Sequence, residues 1–261
     1  MKRAWFYPLA FEKEYAGQLQ RIAKAFALAI EANEDKIKKA VRPEDVILLM
    51  LSLRNSYMQN IPGAFVTALT AHVFRLIDSY NRRKLSELLG ATTIHPPDGP
   101  WHSNLQALWL TLNRERIDST VTMFWGQIEG AALRLVLAGY PPDKRYAEMK
   151  DIPDKVSNRM NFIALDETGN LNAALSKQRQ TALGITQYTW RTMLDNRVRP
   201  KHAAREGRVF SWNDPPEGGH PGEDFACRCF AQPLLDKGVI IPWFLPTNGN
   251  GLILGRVSKQ T

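Results

Sequence analysis

Four side chains in the last quarter of the sequence are of the types that bind zinc. They are His202, His220, Cys227 and Cys229. Imidazole nitrogen and thiolate sulfur are ligands that Zn²⁺ prefers, so this set predicts a structural zinc site. The spacing is unusual, because Cys-x-Cys is tighter than the common Cys-x-x-Cys and His202 lies 25 residues before Cys227. The alternative interpretation is a pair of reduced thiols that pack at the end of a small sheet.

The stretch around His202 is strongly basic. Only two carboxylates, those of Asp195 and Glu206, face six cationic side chains there: Arg191, Arg197, Arg199, Lys201, Arg205 and Arg208. The whole chain carries 34 Lys and Arg against 26 Asp and Glu, a net charge of +8. Such an excess favours a polyanionic partner, so the six side chains are predicted to contact DNA phosphates. The alternative is an internal network in which Asp195 pairs with Arg197 or Arg199.

Catalysis by the same residues is a further hypothesis. His202 and Asp195, together with Arg197 and Arg199, could supply acid–base chemistry and phosphate stabilisation for a nuclease. The sequence contains no Gly-rich phosphate loop, no His-Glu-x-x-His helix, no nucleophile elbow and no kinase signature. We therefore predict that the protein is not an enzyme.

Helices are predicted over most of the first 183 residues, because apolar residues recur there at spacings of three and four. The predicted helices run from Leu9 to about Ala40, from Val46 to Tyr57 after a start at Pro43, from Ala64 to Leu89, from Leu105 to Gly139, and from Tyr146 to Leu183 with a break near Gly169. A proline-rich loop is predicted at residues 94–100. No apolar run is long enough to cross a membrane, and the amino end lacks a signal-peptide pattern, so we expect a protein used inside a cell.

Three strands are predicted after Gly184, where β-favouring residues become frequent. They cover Thr186–Thr192, residues 207–212 and residues 225–235. The aromatic side chains of Trp190, Phe210 and Trp212 are predicted to form the core of this sheet. The predicted fold class is therefore α+β, with a mainly helical N-terminal region at residues 1–183, a small C-terminal unit with a short antiparallel sheet at 184–235, and an extended tail at 236–261 that needs a partner to hold it.

The order of residues in the small unit resembles that of the phage Mu protein F-like family of head morphogenesis proteins. The resemblance rests on the run Trp-x-Thr-x-x-Asp-x-Arg-Val-Arg-x-x-His and on the proline-rich loop that ends in Cys-Arg-Cys, and it covers residues 164–233. The motif positions with a predicted structural role are Trp190, Thr192, Asp195, Gly207, Phe210, Pro221 and Gly222. Many family members carry a further cysteine pair upstream, where this chain has Arg197, Arg199 and His202.

The resemblance implies a minor head protein of a tailed phage, bound at the portal vertex inside the capsid. Its expected roles are head morphogenesis and DNA packaging or delivery, with non-specific contact to double-stranded DNA. The implied partners are the portal protein, with several copies of this chain per portal, and the major capsid or scaffold proteins. The expected locations are the virion and, during assembly, the host cytoplasm, with no membrane partner. A packaged nuclease or toxin-like effector and a purely scaffold-like assembly factor remain as alternatives.

Overall fold

Helices dominate the computed structural model, which describes residues 7–60, 63–88 and 99–234 and is 72% helical over them. The helices are α1 (Leu9–Glu31), α2 (Glu34–Lys39), α3 (Pro43–Asn60), α4 (Gly63–Leu88), α5 (Pro100–Leu137), α6 (Pro142–Lys150), α7 (Ile152–Ala182) and α8 (Pro200–Ala203). The strands are β1 (Gln187–Arg191), β2 (Val209–Ser211) and β3 (Phe230–Pro233). This arrangement confirms the predicted α+β class. The predicted loop at 94–98 and the predicted tail at 236–261 lie outside the described residues.

The helices differ from the prediction in three interruptions, and α5 begins at Pro100, within the predicted loop. The single helix predicted from Leu9 to Ala40 is divided into α1 and α2. The division falls at Asn33, because its backbone leaves helical geometry and its side-chain amide donates to the carbonyl of Ala29 at 2.9 Å. The last helical region is divided at Asp151, where Pro153 falls in the first turn of α7. The predicted break near Gly169 is wrong, since α7 continues through it without interruption.

The sheet is antiparallel and has the order β2-β1-β3. Strand β1 is central, with Tyr188 opposite Phe210 on one side and Trp190 opposite Ala231 on the other. The third strand is shorter than predicted and begins only at Phe230. The chain before it turns instead of pairing with β1, because the backbone N–H of Ala226 donates to Asp166 Oδ1 on α7 at 2.7 Å.

The core of the sheet is aromatic, as predicted. Tyr188 and Trp190 are buried on the same face of β1 and pack with Trp212, Ala231 and both cysteines, while Phe210 is partly buried against them. Gln180 of α7 links the helix to this core, because its side-chain amide donates to the carbonyl of Ala231 at 3.0 Å and its carbonyl accepts from the Trp212 indole at 3.2 Å. These polar contacts fix the sheet on the last turn of α7.

The described residues form two compact units. The first comprises residues 7–11, 73–88, 99–109 and 166–234, and the second comprises 12–60, 63–72 and 110–165. The second unit has an aromatic centre in which Phe26, Tyr57 and Trp125 contact one another. The division predicted at residues 183 and 235 stays a prediction. None of the described helices combines the length and the apolar character that a bilayer crossing requires.

Buried polar groups join α4 and α7 within the first unit. Arg179 is fully buried, pairs with the carboxylate of Asp78 and donates to Asn81 Oδ1 at 2.8 Å. Asn81 in turn donates to Asn172 Oδ1 at 3.0 Å and to Ser176 Oγ at 2.8 Å. A buried guanidinium is tolerated only with such partners, so α7 depends on α4 for its position.

Candidate functional site

Three of the four predicted zinc ligands converge. His202 Nδ1 lies 3.5 Å from Cys227 Sγ and 3.6 Å from Cys229 Sγ. One ligand atom from each residue lies within 4.8 Å of the other two, and all three residues are buried. His202 comes from α8, and the cysteines come from the segment that leads into β3. Two parts of the chain that are distant in sequence therefore meet at one cluster of metal-binding atoms.

Local backbone features place these side chains. Pro200 begins α8 after an extended Arg199, which points His202 into the unit from the first turn of the helix. The cysteine segment lies directly against α7, since a Cβ atom added at Gly169 would stand 2.6 Å from the carbonyl oxygen of Cys227. Gly222 has a φ of +92°, and a Cβ atom there would stand 2.6 Å from Ala173 Cβ. Glycine at both positions allows the close approach that carries the cysteines to His202.

A carboxylate lies behind the histidine. His202 Nε2 is 3.2 Å from Asp224 Oδ2, so the two ring nitrogens face different groups. Asp224 also contacts Arg199 at 3.0 Å and Lys201 at 3.2 Å. Burial acts to raise the pKa of the Asp224 carboxyl, but the contacts with Lys201 and Arg199 outweigh it and hold that pKa below its ordinary value. Asp224 is therefore an ionised acceptor for the imidazole N–H.

The pKa values of the two thiols are shifted in opposite directions. The hydrogen bond from the Cys229 thiol, against the opposing effect of burial, lowers the pKa of Cys227 to about 6. The same hydrogen bond, together with burial, raises the pKa of Cys229 above its ordinary value. The two thiols are therefore not equivalent, and Cys227 is the more acidic of the pair.

His220, the fourth predicted ligand, does not belong to this cluster. Its Nδ1 lies 2.8 Å from the hydroxyl of Tyr188, and its ring packs against Tyr188 and Trp212. Burial lowers the pKa of the His220 imidazole, which favours the neutral ring. The structure therefore gives His220 a place in the aromatic core.

The six predicted DNA-binding residues divide into two groups of three. Arg191 pairs with Glu206 at 3.2 Å, and Arg199 and Lys201 share Asp224. The other three have no carboxylate partner among the described residues. The guanidinium of Arg205 lies over the Trp190 ring and donates to a backbone carbonyl. The guanidinium of Arg208 lies over the Phe210 ring, and Arg197 is exposed. Half of the predicted basic surface is therefore neutralised within the protein.

Asp195 has a partner that the sequence did not indicate. Its two carboxylate oxygens accept from Arg228 at 2.9 and 2.7 Å, whereas Arg197 contributes only its backbone N–H at 3.1 Å. The expected pairing of the Asp195 carboxylate with the side chain of Arg197 or Arg199 is therefore wrong. Arg228, the centre of Cys-Arg-Cys, is buried, and a charged residue between two buried cysteines was the signal for an internal partner.

The remaining motif residues hold the small unit together. Thr192 donates from its backbone N–H and its hydroxyl to Glu206 Oε2, at 2.6 and 2.9 Å. Gly207 has a φ of +77° and donates to the carbonyl of Trp190 at 2.9 Å. Pro221 is buried beside the close contact at Gly222. His202 and both cysteines are buried and Asp195 is paired with Arg228, so the structure shows these side chains in packing and pairing roles.

Comparison with known proteins supports the resemblance seen in the sequence. Residues 127–232 match the family model described as phage Mu protein F like protein. This segment is Mu F-like. The match begins well before residue 164, so it also takes in the end of α5, all of α6 and the first part of α7.

A protein of Haemophilus influenzae, described as uncharacterized, is 36% identical to this chain over 126 residues. The aligned part covers 48% of this chain and 28% of that relative. No solved structure matches the chain. The comparisons thus identify a Mu F-like segment within the chain.

Proposed function

We propose that this chain is a minor head protein of a tailed phage, located in the virion at the portal vertex and acting in head morphogenesis and DNA packaging or delivery. The observation that carries the proposal is the Mu F-like match over residues 127–232. The burial of His202, Cys227 and Cys229 supports a role without catalysis. The partners we propose are the portal protein, the major capsid or scaffold proteins, and double-stranded DNA.

An exposed apolar surface on α3 supports contact with a protein partner. It consists of Ile47, Leu48, Leu51 and Met58, whose exposed fractions range from 43% to 67%. The spacing of these residues places them on one side of the helix. Neighbouring exposed apolar side chains are typical of surfaces that become covered on assembly. We propose that the portal protein covers the α3 surface.

The three cationic side chains without a carboxylate partner support contact with DNA. Arg197, Arg205 and Arg208 lie within the small unit, and the chain as a whole has a net charge of +8. Their positive charges are not neutralised by a carboxylate among the described residues, so they remain to attract phosphates. We propose that these three residues, more than the paired Arg191, Arg199 and Lys201, provide the DNA contact.

The experiment that tests the proposed role is quantification of this chain by mass spectrometry in purified phage particles. Full particles, DNA-free proheads and proheads lacking the portal protein are compared, all from cells that produce the phage encoding the chain. We expect a few copies in full particles and in portal-containing proheads, and loss without the portal. Absence from every particle would refute the virion role and favour the alternative of a nuclease or toxin-like effector.

Variants of the α3 surface sharpen this test. Leu48→Glu with Leu51→Glu is expected to reduce incorporation into proheads while leaving the unfolding temperature nearly unchanged, because both side chains are already exposed. Leu137→Glu is the control, since Leu137 is 68% exposed at the end of α5. Equal incorporation of the double variant and the control variant would contradict a partner on α3.

DNA contact is tested by the salt dependence of binding to duplex DNA. Replacing Arg197, Arg205 and Arg208 by Gln is expected to lower the slope of log K against log salt by about 2.7, since each phosphate neutralised contributes about 0.9. The control replaces three exposed lysines of α1 and α2, Lys24, Lys36 and Lys39, by Gln, which removes the same charge. Equal slopes for the two triple variants would show that net charge alone attracts DNA, and no affinity at low salt would favour a purely scaffold-like factor.

A further inference from the structure

The two nitrogen–sulfur distances in the His202, Cys227 and Cys229 cluster are those of a tetrahedral metal site. With Zn–S bonds of about 2.3 Å and a Zn–N bond of about 2.0–2.1 Å, tetrahedral geometry places nitrogen and sulfur about 3.5–3.6 Å apart. The two distances from His202 Nδ1 to the cysteine sulfurs are 3.5 and 3.6 Å. We propose that His202, Cys227 and Cys229 bind one Zn²⁺ ion through these atoms. The proposal concerns the small unit alone and does not depend on the proposed function.

The position of Asp224 supports this assignment independently of the distances. Metal-binding histidines commonly donate their second ring N–H to a carboxylate, which fixes the tautomer and the ring orientation. Asp224 Oδ2 lies 3.2 Å from His202 Nε2, the nitrogen that faces away from the sulfurs. An N–H at Nε2 leaves the lone pair of Nδ1 directed at the cysteine side. Asp224 is thus a positioning residue for the ligand.

The charges balance in the proposed site. Two thiolates neutralise Zn²⁺, and the imidazole binds in its neutral form, so the buried complex carries no net charge. Thiol protons still present at Cys227 and Cys229 leave to solvent when the two Zn–S bonds form. The three side chains occupy three tetrahedral positions, and the fourth accepts a water molecule or another small donor.

The proposed ion would stabilise the unit by joining α8 to the segment before β3. The chain between His202 and Cys227 includes β2 and the proline-rich loop, in which only a few side chains are buried. A metal ion bound to both His202 and Cys227 would restrict the conformations of the unfolded chain between them. It would also add stability that a sheet of this size cannot obtain from apolar contacts alone. His220, inside the aromatic core, takes no part.

The test is metal analysis of the full-length protein purified without chelators. We expect one zinc per chain, loss of zinc in Cys227→Ser, Cys229→Ser and His202→Gln, and retention in His220→Gln, which removes a buried histidine outside the cluster. Asp224→Asn is expected to weaken zinc affinity by about 10- to 100-fold without abolishing binding. Loss of zinc in His220→Gln would overturn the three-residue site in favour of the four-residue set.

Measurements on the unmodified chain keep the proposal testable if the serine variants fail to fold. Zinc added to chelator-treated protein is expected to raise the unfolding temperature and to protect both cysteines from alkylation. Cobalt in place of zinc is expected to give the charge-transfer bands of a cobalt thiolate. The site would be refuted if, in saturating zinc, both cysteines were still alkylated and the unfolding temperature did not change. It would also be refuted if the purified protein contained no zinc and bound another metal more tightly.

Discussion

Replacement of Gly169 by alanine tests the close contact between α7 and the cysteine segment. Gly169 is buried in the interior of α7, and a Cβ atom there would lie 2.6 Å from the carbonyl oxygen of Cys227. Ordinary contacts of this kind begin near 3.4 Å. Alanine therefore requires the cysteine segment to move away from the helix, because a backbone carbonyl cannot relieve the contact by a side-chain rotation.

Two effects of opposite sign determine the size of the change. Alanine in a helix interior is favoured over glycine by about 1 kcal/mol. An extra methyl group in a closely packed site costs about 1–3 kcal/mol, and contact with rigid backbone places Gly169→Ala in the upper half of that range. We expect a net loss of about 1–2 kcal/mol in the free energy of unfolding.

The assay is urea unfolding of Gly169→Ala beside Gly126→Ala. Gly126 is an exposed glycine within α5, and a Cβ atom there would meet nothing within 4 Å. Gly126→Ala is expected to gain about 0.5–1 kcal/mol, so the two variants should differ by about 1.5–3 kcal/mol. Equal stabilisation by both substitutions would refute the close approach at Gly169.

Three further predictions concern polar contacts of the first unit. Gln180→Leu is expected to cost at least about 2 kcal/mol in urea unfolding, because it leaves a buried carbonyl and a buried indole N–H without partners. Asp195→Asn is expected to cost about 1.5 kcal/mol, because Arg228 loses its carboxylate, and Arg197→Gln should cost much less in the same assay. The pKa of Glu206 is held below 4.5 by Thr192 and Arg191, despite burial, so its contribution is complete above pH 4.5 and is lost as pH falls through the lowered value. Thermal unfolding of Glu206→Gln should then lose less stability on acidification than the natural chain, and identical acid slopes would contradict this.

The sequence predicted the elements of the fold better than their interruptions. Apolar spacing located the long helices, because that pattern follows directly from which face is buried. The frequency of β-favouring residues located the first two strands. Gly169 was expected to break α7 because glycine weakens an isolated helix. Its actual role is to admit the carbonyl of Cys227, 58 residues later, and no local pattern reveals such an approach.

The candidate site was predictable in its residue types but not in its membership. Histidine and cysteine were identified as ligands, yet only the folded chain separates His202, which faces the sulfurs, from His220, which faces Tyr188. The partner of Asp195 was missed because Arg228 lies 33 residues away. Pairing across such separations depends on how β1 and β3 are placed, and charge counting does not contain that information.

The buried contacts between α4 and α7 have a consequence for any transfer of the matched segment from one chain to another. Arg179 lies inside the Mu F-like segment, whereas its partners Asp78 and Asn81 lie outside it. A recombination event that moved only residues 127–232 would transfer a buried cation without its counterion. The recipient would have to supply a carboxylate and an amide at the same positions or lose the last turns of α7. The matched segment is therefore smaller than the part of the chain that it needs in order to fold.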